Sequence, residues 1–250
     1  MTRWLVLLGW AQLVWGVSLR QDTGERTLYL IENPHFQLTI DAAAGGRIRS
    51  WKLQPAGREL IALWKGGGEI GGALDDRAVF TTALMDSAIV QPGPNQAVLR
   101  LETVHPSGFE LVKILTVTDE PVLRVNYEFR NGTQAPQRVM IRNFFLPGGG
   151  PQGEHHRYSV NGPEGKRVTD DPRATGYFPV GQPAWAALRD QVTGDGIVAL
   201  APGAPQFYLW RGSREFPTFE WLYPELPAGQ ALACEVRLRT VTGQTSVDWG

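Results

Sequence analysis

The chain holds a single cysteine in 250 residues, so no intramolecular disulfide framework can staple it. It has no CxxC pair and no Cys/His cluster, and with them goes any zinc cage. Charge of one sign is lacking as well. The 24 Lys and Arg balance 25 Asp and Glu to a net charge of −1, leaving no basic field for a nucleic-acid backbone and no acidic tail for cations. Beyond the N-terminal segment, no stretch of a dozen residues keeps a helical period free of Gly and Pro. What is plentiful is the turn formers themselves, 29 Gly and 18 Pro. They make up about a fifth of the chain, above the ordinary share but below the ~25–30% of low-complexity sequences. With 42% hydrophobic residues, the expectation is a folded, turn-rich protein long enough to bury a real core.

Long apolar runs are also missing. The one run of note follows Arg3 and extends from Trp4 to Val17, broken only by Gly9, Gln12 and Gly16. A membrane-spanning helix needs roughly 20 residues, whereas the apolar region of a signal peptide needs about 7–15. The segment 1–18 is therefore expected to be a signal peptide, cleaved near Gly16 or Ser18, and the protein to be secreted or periplasmic with no stable membrane span afterwards. An uncleaved N-terminal anchor is the alternative. No cysteine follows the run, which excludes a lipoprotein anchor.

Period-two alternation dominates the rest. Leu123, Val125, Tyr127 and Phe129 share one face of a segment whose other face carries Arg124, Asn126, Glu128 and Arg130. Leu232, Cys234, Val236 and Leu238 oppose Glu235, Arg237 and Arg239 in the same way, and 36–40 and 97–101 repeat the pattern. These are half-buried antiparallel strands, and Cys234 reads as a small buried hydrophobe among them. Further strands are expected near 27–33, 46–53, 58–64, 78–90, 108–117, 137–146, 156–161, 184–190, 195–201, 206–211 and 217–222. Turn signals such as Asn33-Pro34, Gly45-Gly46 and Asn131-Gly132 separate them. The Gly- or Pro-rich stretches 65–77 and 147–183 read as loops of the kind that carry function. The chain is all-β, and residues 19–250 read as one large two-sheet domain.

The first strands then carry a family likeness. Asn33-Pro34, Gly45-Gly46-Arg47-Ile48-Arg49-Ser50 and Gly57-Arg58-Glu59-Leu60 follow one another as strand, break, strand and hairpin. This block resembles the opening of the galactose mutarotase-like β-supersandwich, the fold of aldose 1-epimerases and several carbohydrate-processing domains. Residues 71–77 and 225–238 resemble later parts of the same layout. The resemblance implies a two-sheet antiparallel supersandwich and a carbohydrate ligand, mono- or oligosaccharide. In aldose 1-epimerases a carboxylate base and a histidine acid open and reclose the sugar ring. The resemblance implies Glu220 for the base. The segment 141–146 is similar to the family's histidine-bearing strand but has Arg142 and Asn143 and no histidine. The acid would then fall to His155 or His156.

Sugars are held by aromatic faces and by planar polar side chains. Trp64, Trp185, Trp210 and Trp221 are candidates for the first, and Arg142, Asn143, Arg211 and Glu220 for the second. Asp76 is a further candidate contact, and with Glu220 it is the carboxylate pair that glycoside hydrolysis would require. Asp75-Asp76 and Asp170-Asp171 lack the alternating spacing of a calcium loop, so neither a metal nor another cofactor is expected. Three functions stay open: an exported carbohydrate-binding protein, an aldose 1-epimerase or related sugar enzyme with Glu220 as base, and a non-catalytic envelope or interaction module.

Overall fold

A computed structural model describes residues 16–64, 70–148, 155–169, 176–210 and 218–243. The chain opens with an antiparallel sheet in which each strand lies beside the next. These are β1 (Ser18–Thr23), β2 (Thr27–Glu32), β3 (Phe36–Asp41), β4 (Arg47–Leu53) and β5 (Arg58–Glu59). The short pair β6 (Leu63–Trp64) and β7 (Ile70–Gly71) leads to a single helical turn, α1 (Arg77–Phe80). A meander follows through β8 (Asp86–Pro92), β9 (Ala97–Val104), β10 (Phe109–Val117) and β11 (Val122–Asn131). The chain continues through β12 (Met140–Asn143), β13 (His156–Gly162), β14 (Gly165–Thr169) and β15 (Gly176–Pro179). It ends with β16 (Trp185–Asp190), β17 (Gly196–Leu200), β18 (Gln206–Trp210), β19 (Thr218–Leu222) and β20 (Ala231–Val241).

Nine of these strands form the largest sheet, in the order β14-β13-β16-β17-β20-β11-β10-β9-β8. Four form a smaller one, β12-β19-β18-β15. The last strand, β20, closes the large sheet by pairing with β11 on one side and β17 on the other. Alternation decides which side of each strand is dry. In β11, Leu123, Val125, Tyr127 and Phe129 are buried while the charged residues between them are exposed. The inward faces of all three sheets meet in one apolar cluster. Phe145 joins the five- and four-stranded sheets within it, its ring 6.2 Å from Trp51 of β4 and 5.7 Å from Phe219 of β19.

The Asn33-Pro34 break has a mechanical role. The Asn33 side chain accepts from the backbone of His35 and Phe36 and donates to the carbonyls of Thr118 and Glu120. One buried amide thus ties the β2–β3 turn to the β10–β11 turn, all its polar capacity used locally. Asn131 is buried in the same manner, donating to the carbonyls of Ala135 and Leu226.

Several elements differ from the sequence expectation. The stretch 78–90 opens as α1 rather than as a strand, because a short apolar run fits one helical turn as well as an extended segment. Regular strand structure within 137–146 shrinks to the four residues of β12. The 147–183 stretch contains, besides the expected strand that is β13, two more that its loop-like composition hides, β14 and β15. The last two lie at sheet edges, where glycine, proline and polar residues are tolerated and the apolar signature is weak. The strand β1, not among those expected, begins with Ser18 paired to Glu32.

Candidate functional site

Strand register brings one set of polar and aromatic residues into line. Arg142 of β12 lies directly across from Glu220 of β19, Glu220 across from Tyr208 of β18, and Tyr208 across from Tyr177 of β15. Residues opposite each other in a sheet share a face, so Arg142, Glu220, Tyr208 and Tyr177 form a single row across four strands. Exposure is lowest at Glu220, 4%, and rises from there to 56% at Tyr177. Trp210, two residues on from Tyr208 and hence on the same face, is 36% exposed. The Tyr177 and Tyr208 rings lie 4.7 Å apart at 40°. Partial burial, the nearby Glu220 carboxylate and Tyr177 together raise the Tyr208 hydroxyl above its ordinary pKa.

The arginine end of the row is held rigidly. Arg142 donates through Nη2 to Asp75 Oδ2 at 3.1 Å, and its guanidinium lies 5.2 Å from the centre of the Phe144 ring. Asp75 is buried; its backbone N–H donates to the Arg142 carbonyl at 3.0 Å, and its Oδ1 accepts from the Thr81 hydroxyl at 2.8 Å. Immediately before it, Leu74 sits at φ 58°, a backbone region that non-glycine residues adopt only when the surroundings enforce it. Asn143 supplies part of that enforcement, accepting from the Leu74 N–H at 3.0 Å and donating to the Phe219 carbonyl at 3.2 Å. It is fully buried and belongs to the opposite face of β12 from Arg142. Its place is to position the loop that holds the arginine.

The other residues singled out in the sequence lie elsewhere. Trp221 alternates with Glu220 and points into the core, its ring 5.3 Å from Phe207. Trp185 belongs to a separate small cluster with Val198, Leu200 and Val241. Asp76 turns into the interior, its Oδ2 2.5 Å from the Nζ of the fully buried Lys113, and its Oδ1 accepts from the Tyr127 hydroxyl at 3.3 Å. Burial pushes the Asp76 carboxyl up to about 6 even though Lys113 pulls it down. His155 is exposed at the entry to β13. His156 is buried, with Nε2 2.8 Å from the Pro147 carbonyl oxygen and 3.9 Å from Asp190. Both histidines belong to the nine-stranded sheet or its margin, whereas Glu220 belongs to the four-stranded one. Arg211 and Asp170-Asp171 lie outside the described residues, as does the side chain of Trp64. Tyr177 and Tyr208 were not anticipated. Tyr208 falls in the strand expected at 206–211, but Tyr177 falls in the 147–183 stretch that reads as loop, and only pairing places the two side by side.

No protein-family model and no curated protein sequence matches the chain. Solved structures do. A galactose 1-epimerase from Lactobacillus acidophilus NCFM superposes with a TM-score of 0.66 at 12% identity, covering 91% of this chain and 99% of that one. A galactose mutarotase-like protein from Clostridium acetobutylicum superposes at 0.61 and 8% identity, covering 91% and 99%. This chain has the galactose mutarotase-like fold. A TPR-domain containing protein from Parabacteroides distasonis ATCC 8503 shares it at a TM-score of 0.69 and 11% identity. That match covers 89% of this chain but only 48% of the other, so the mutarotase-like unit is there about half of a longer protein. At such identities the likeness is one of fold.

Proposed function

We propose that the protein binds carbohydrate on the face of the four-stranded sheet that carries Arg142, Glu220, Tyr208, Tyr177 and Trp210. The observation that carries this reading is the cross-strand row itself. A carboxylate and a guanidinium side by side offer the planar acceptor and donor that paired sugar hydroxyls need. The adjoining tyrosines offer flat apolar surface for the C–H face of a ring.

Arg142 favours binding over epimerisation. Opposite Glu220 stands a guanidinium, a fork of hydrogen-bond donors suited to holding sugar hydroxyls rather than the histidine acid that ring opening uses. His156 is engaged at the Pro147 carbonyl in another sheet. Titration calorimetry with glucose, galactose and mannose, combined with NMR of anomeric exchange, tests the reading. Arg142→Ala and Glu220→Gln are each expected to weaken the sugars that bind by about tenfold or more, as loss of a charged hydrogen bond does, without altering exchange. Accelerated mutarotation that disappears in Glu220→Gln would instead establish the epimerase.

We propose in addition that the protein is exported. Arg3 and the apolar run support it, although residues 1–15 lie outside the described structure. Val17 is buried and its N–H donates to the Pro94 carbonyl at 2.7 Å. Cleavage after Gly16 keeps that anchor and all of β1, whereas cleavage after Ser18 removes both Val17 and the Ser18–Glu32 pair. Secreted protein is expected to begin at Val17 by intact mass. A mature form beginning at Leu19, or a Met1 form retained in membranes, would count against this.

A further inference from the structure

Resting on that binding reading, we infer that the ligand is an uncharged oligosaccharide of at least two rings, with the second ring stacked on Tyr177 and Tyr208. Neighbouring strands lie about 4.8 Å apart, so the row from Arg142 to Tyr177 spans three gaps, roughly 14 Å. That is longer than one pyranose ring. The row is also divided in character. At one end Arg142 and the deeply placed Glu220 provide directional hydrogen bonds, which fix one ring by its hydroxyls. At the other end Tyr208 and the more exposed Tyr177 provide two rings 4.7 Å apart, with exposed Trp210 on the same face. Exposed aromatics in a cluster are costly to leave wet, and their flat faces suit the C–H surface of a sugar.

Charge narrows the ligand class. β15 and β18, Gly176–Pro179 and Gln206–Trp210, contain no ionisable acid or base apart from the tyrosines themselves. The cation at the far end is already matched by Asp75 at 3.1 Å. Among the described residues, nothing along the aromatic end of the row rewards a uronate or a sugar phosphate there, and a neutral chain fits it best.

The position of Tyr177 makes the idea testable without disturbing the fold. Its side chain is 56% exposed on β15, an edge strand. The probes are glucose, mannose, galactose and N-acetylglucosamine, each set against its β-1,4-linked tetrasaccharide in calorimetric titrations. At least one tetrasaccharide is expected to bind about tenfold more tightly than its own monomer. Tyr177→Ala should erase that advantage, weakening the tetrasaccharide far more than its monomer, at an unchanged melting temperature. Tyr177→Phe should retain the advantage, because the ring face rather than the hydroxyl does the stacking. Arg142→Ala should weaken monomer and tetramer alike. Equal affinity for every monomer and its tetramer would overturn the second-ring inference but leave the binding reading standing, as would equal losses for both in Tyr177→Ala. Binding of none of the eight sugars, or binding indifferent to Arg142→Ala, would overturn both.

Discussion

Lys113→Met is expected to destabilise the protein by about 3–5 kcal/mol at pH 8, because it leaves a buried carboxylate without its counter-charge. Lys113 is fully buried and spends all three of its protons: toward Asp76 at 2.5 Å, on the Gly45 carbonyl at 2.8 Å and on the Leu74 carbonyl at 2.9 Å. The loss should depend on pH with a definite sign. In the native protein Asp76 titrates near 6, above its ordinary 3.8. The folded state thus holds this proton more tightly than the unfolded chain. Stability from this group is greatest below pH 4 and falls as pH rises toward 6, by about 3 kcal/mol in total. Removing Lys113 removes the charge and hydrogen bond that hold the Asp76 pKa down, so the fall continues to higher pH in the variant. Urea unfolding at pH 5, 7 and 8 should show the deficit of the variant growing with pH. Adding Asp76→Asn should recover a large part of the deficit at pH 8 and make what remains nearly independent of pH. A deficit below 1 kcal/mol, or one equal at all three pH values, would refute the role given to the pair.

That pair also marks the limit of what could be read from the chain alone. Lys113 stands in a strand whose neighbours Leu111 and Leu115 face the core, so alternation places it inward, yet nothing local identifies Asp76 as its partner 37 positions earlier. Alternation made the strands legible wherever one face is dry and the other wet, as in β11. It failed in β19, where all five residues are buried and period two cannot tell Glu220 from Trp221. There the register with β12 and β18 decides, sending Glu220 to the row and Trp221 to the core. Arg142 and Asn143 separate by the same parity. The row could be half anticipated, through Arg142 and Glu220, because one stretch resembles a strand of known sugar enzymes. Of its aromatic end, Trp210 could be named but Tyr177 and Tyr208 could not. Tyr177 lies within the Gly- and Pro-rich stretch 147–183 that reads as loop, and its value lies in pairing with Tyr208, 31 residues away. The sequence pattern reports burial along a strand, whereas a site is assembled across strands.

Gly45→Ala is expected to cost about 4 kcal/mol, and the comparison with Gly57→Ala explains why. The two glycines share a backbone conformation, φ 70° at Gly45 and φ 67° at Gly57. In that left-handed region a Cβ costs roughly 1–2 kcal/mol by itself. Their surroundings differ. At Gly57, in the β4–β5 turn, a Cβ would meet nothing within 4 Å. At Gly45 it would be driven into the carbonyl oxygen of Phe80, with the carbonyl carbon at 3.1 Å and that of Thr81 at 3.4 Å. The chain cannot retreat. The Gly45 N–H donates to the Ala83 carbonyl at 2.8 Å, and the Gly45 carbonyl accepts from Lys113. Phe80 cannot yield cheaply either, since its ring packs 5.2 Å from Phe109 in the core and it ends the helical turn beside Asp75 and Asp76. Paired urea titrations of the two variants should give a cost near 1 kcal/mol for Gly57→Ala and a distinctly larger one for Gly45→Ala. Equal costs would mean that backbone conformation alone sets the glycine at 45. A surplus at 45 means that the β3–β4 turn needs that glycine so the backbone can press against α1, the contact that sets the loop carrying Asp75 and, through it, the direction of Arg142.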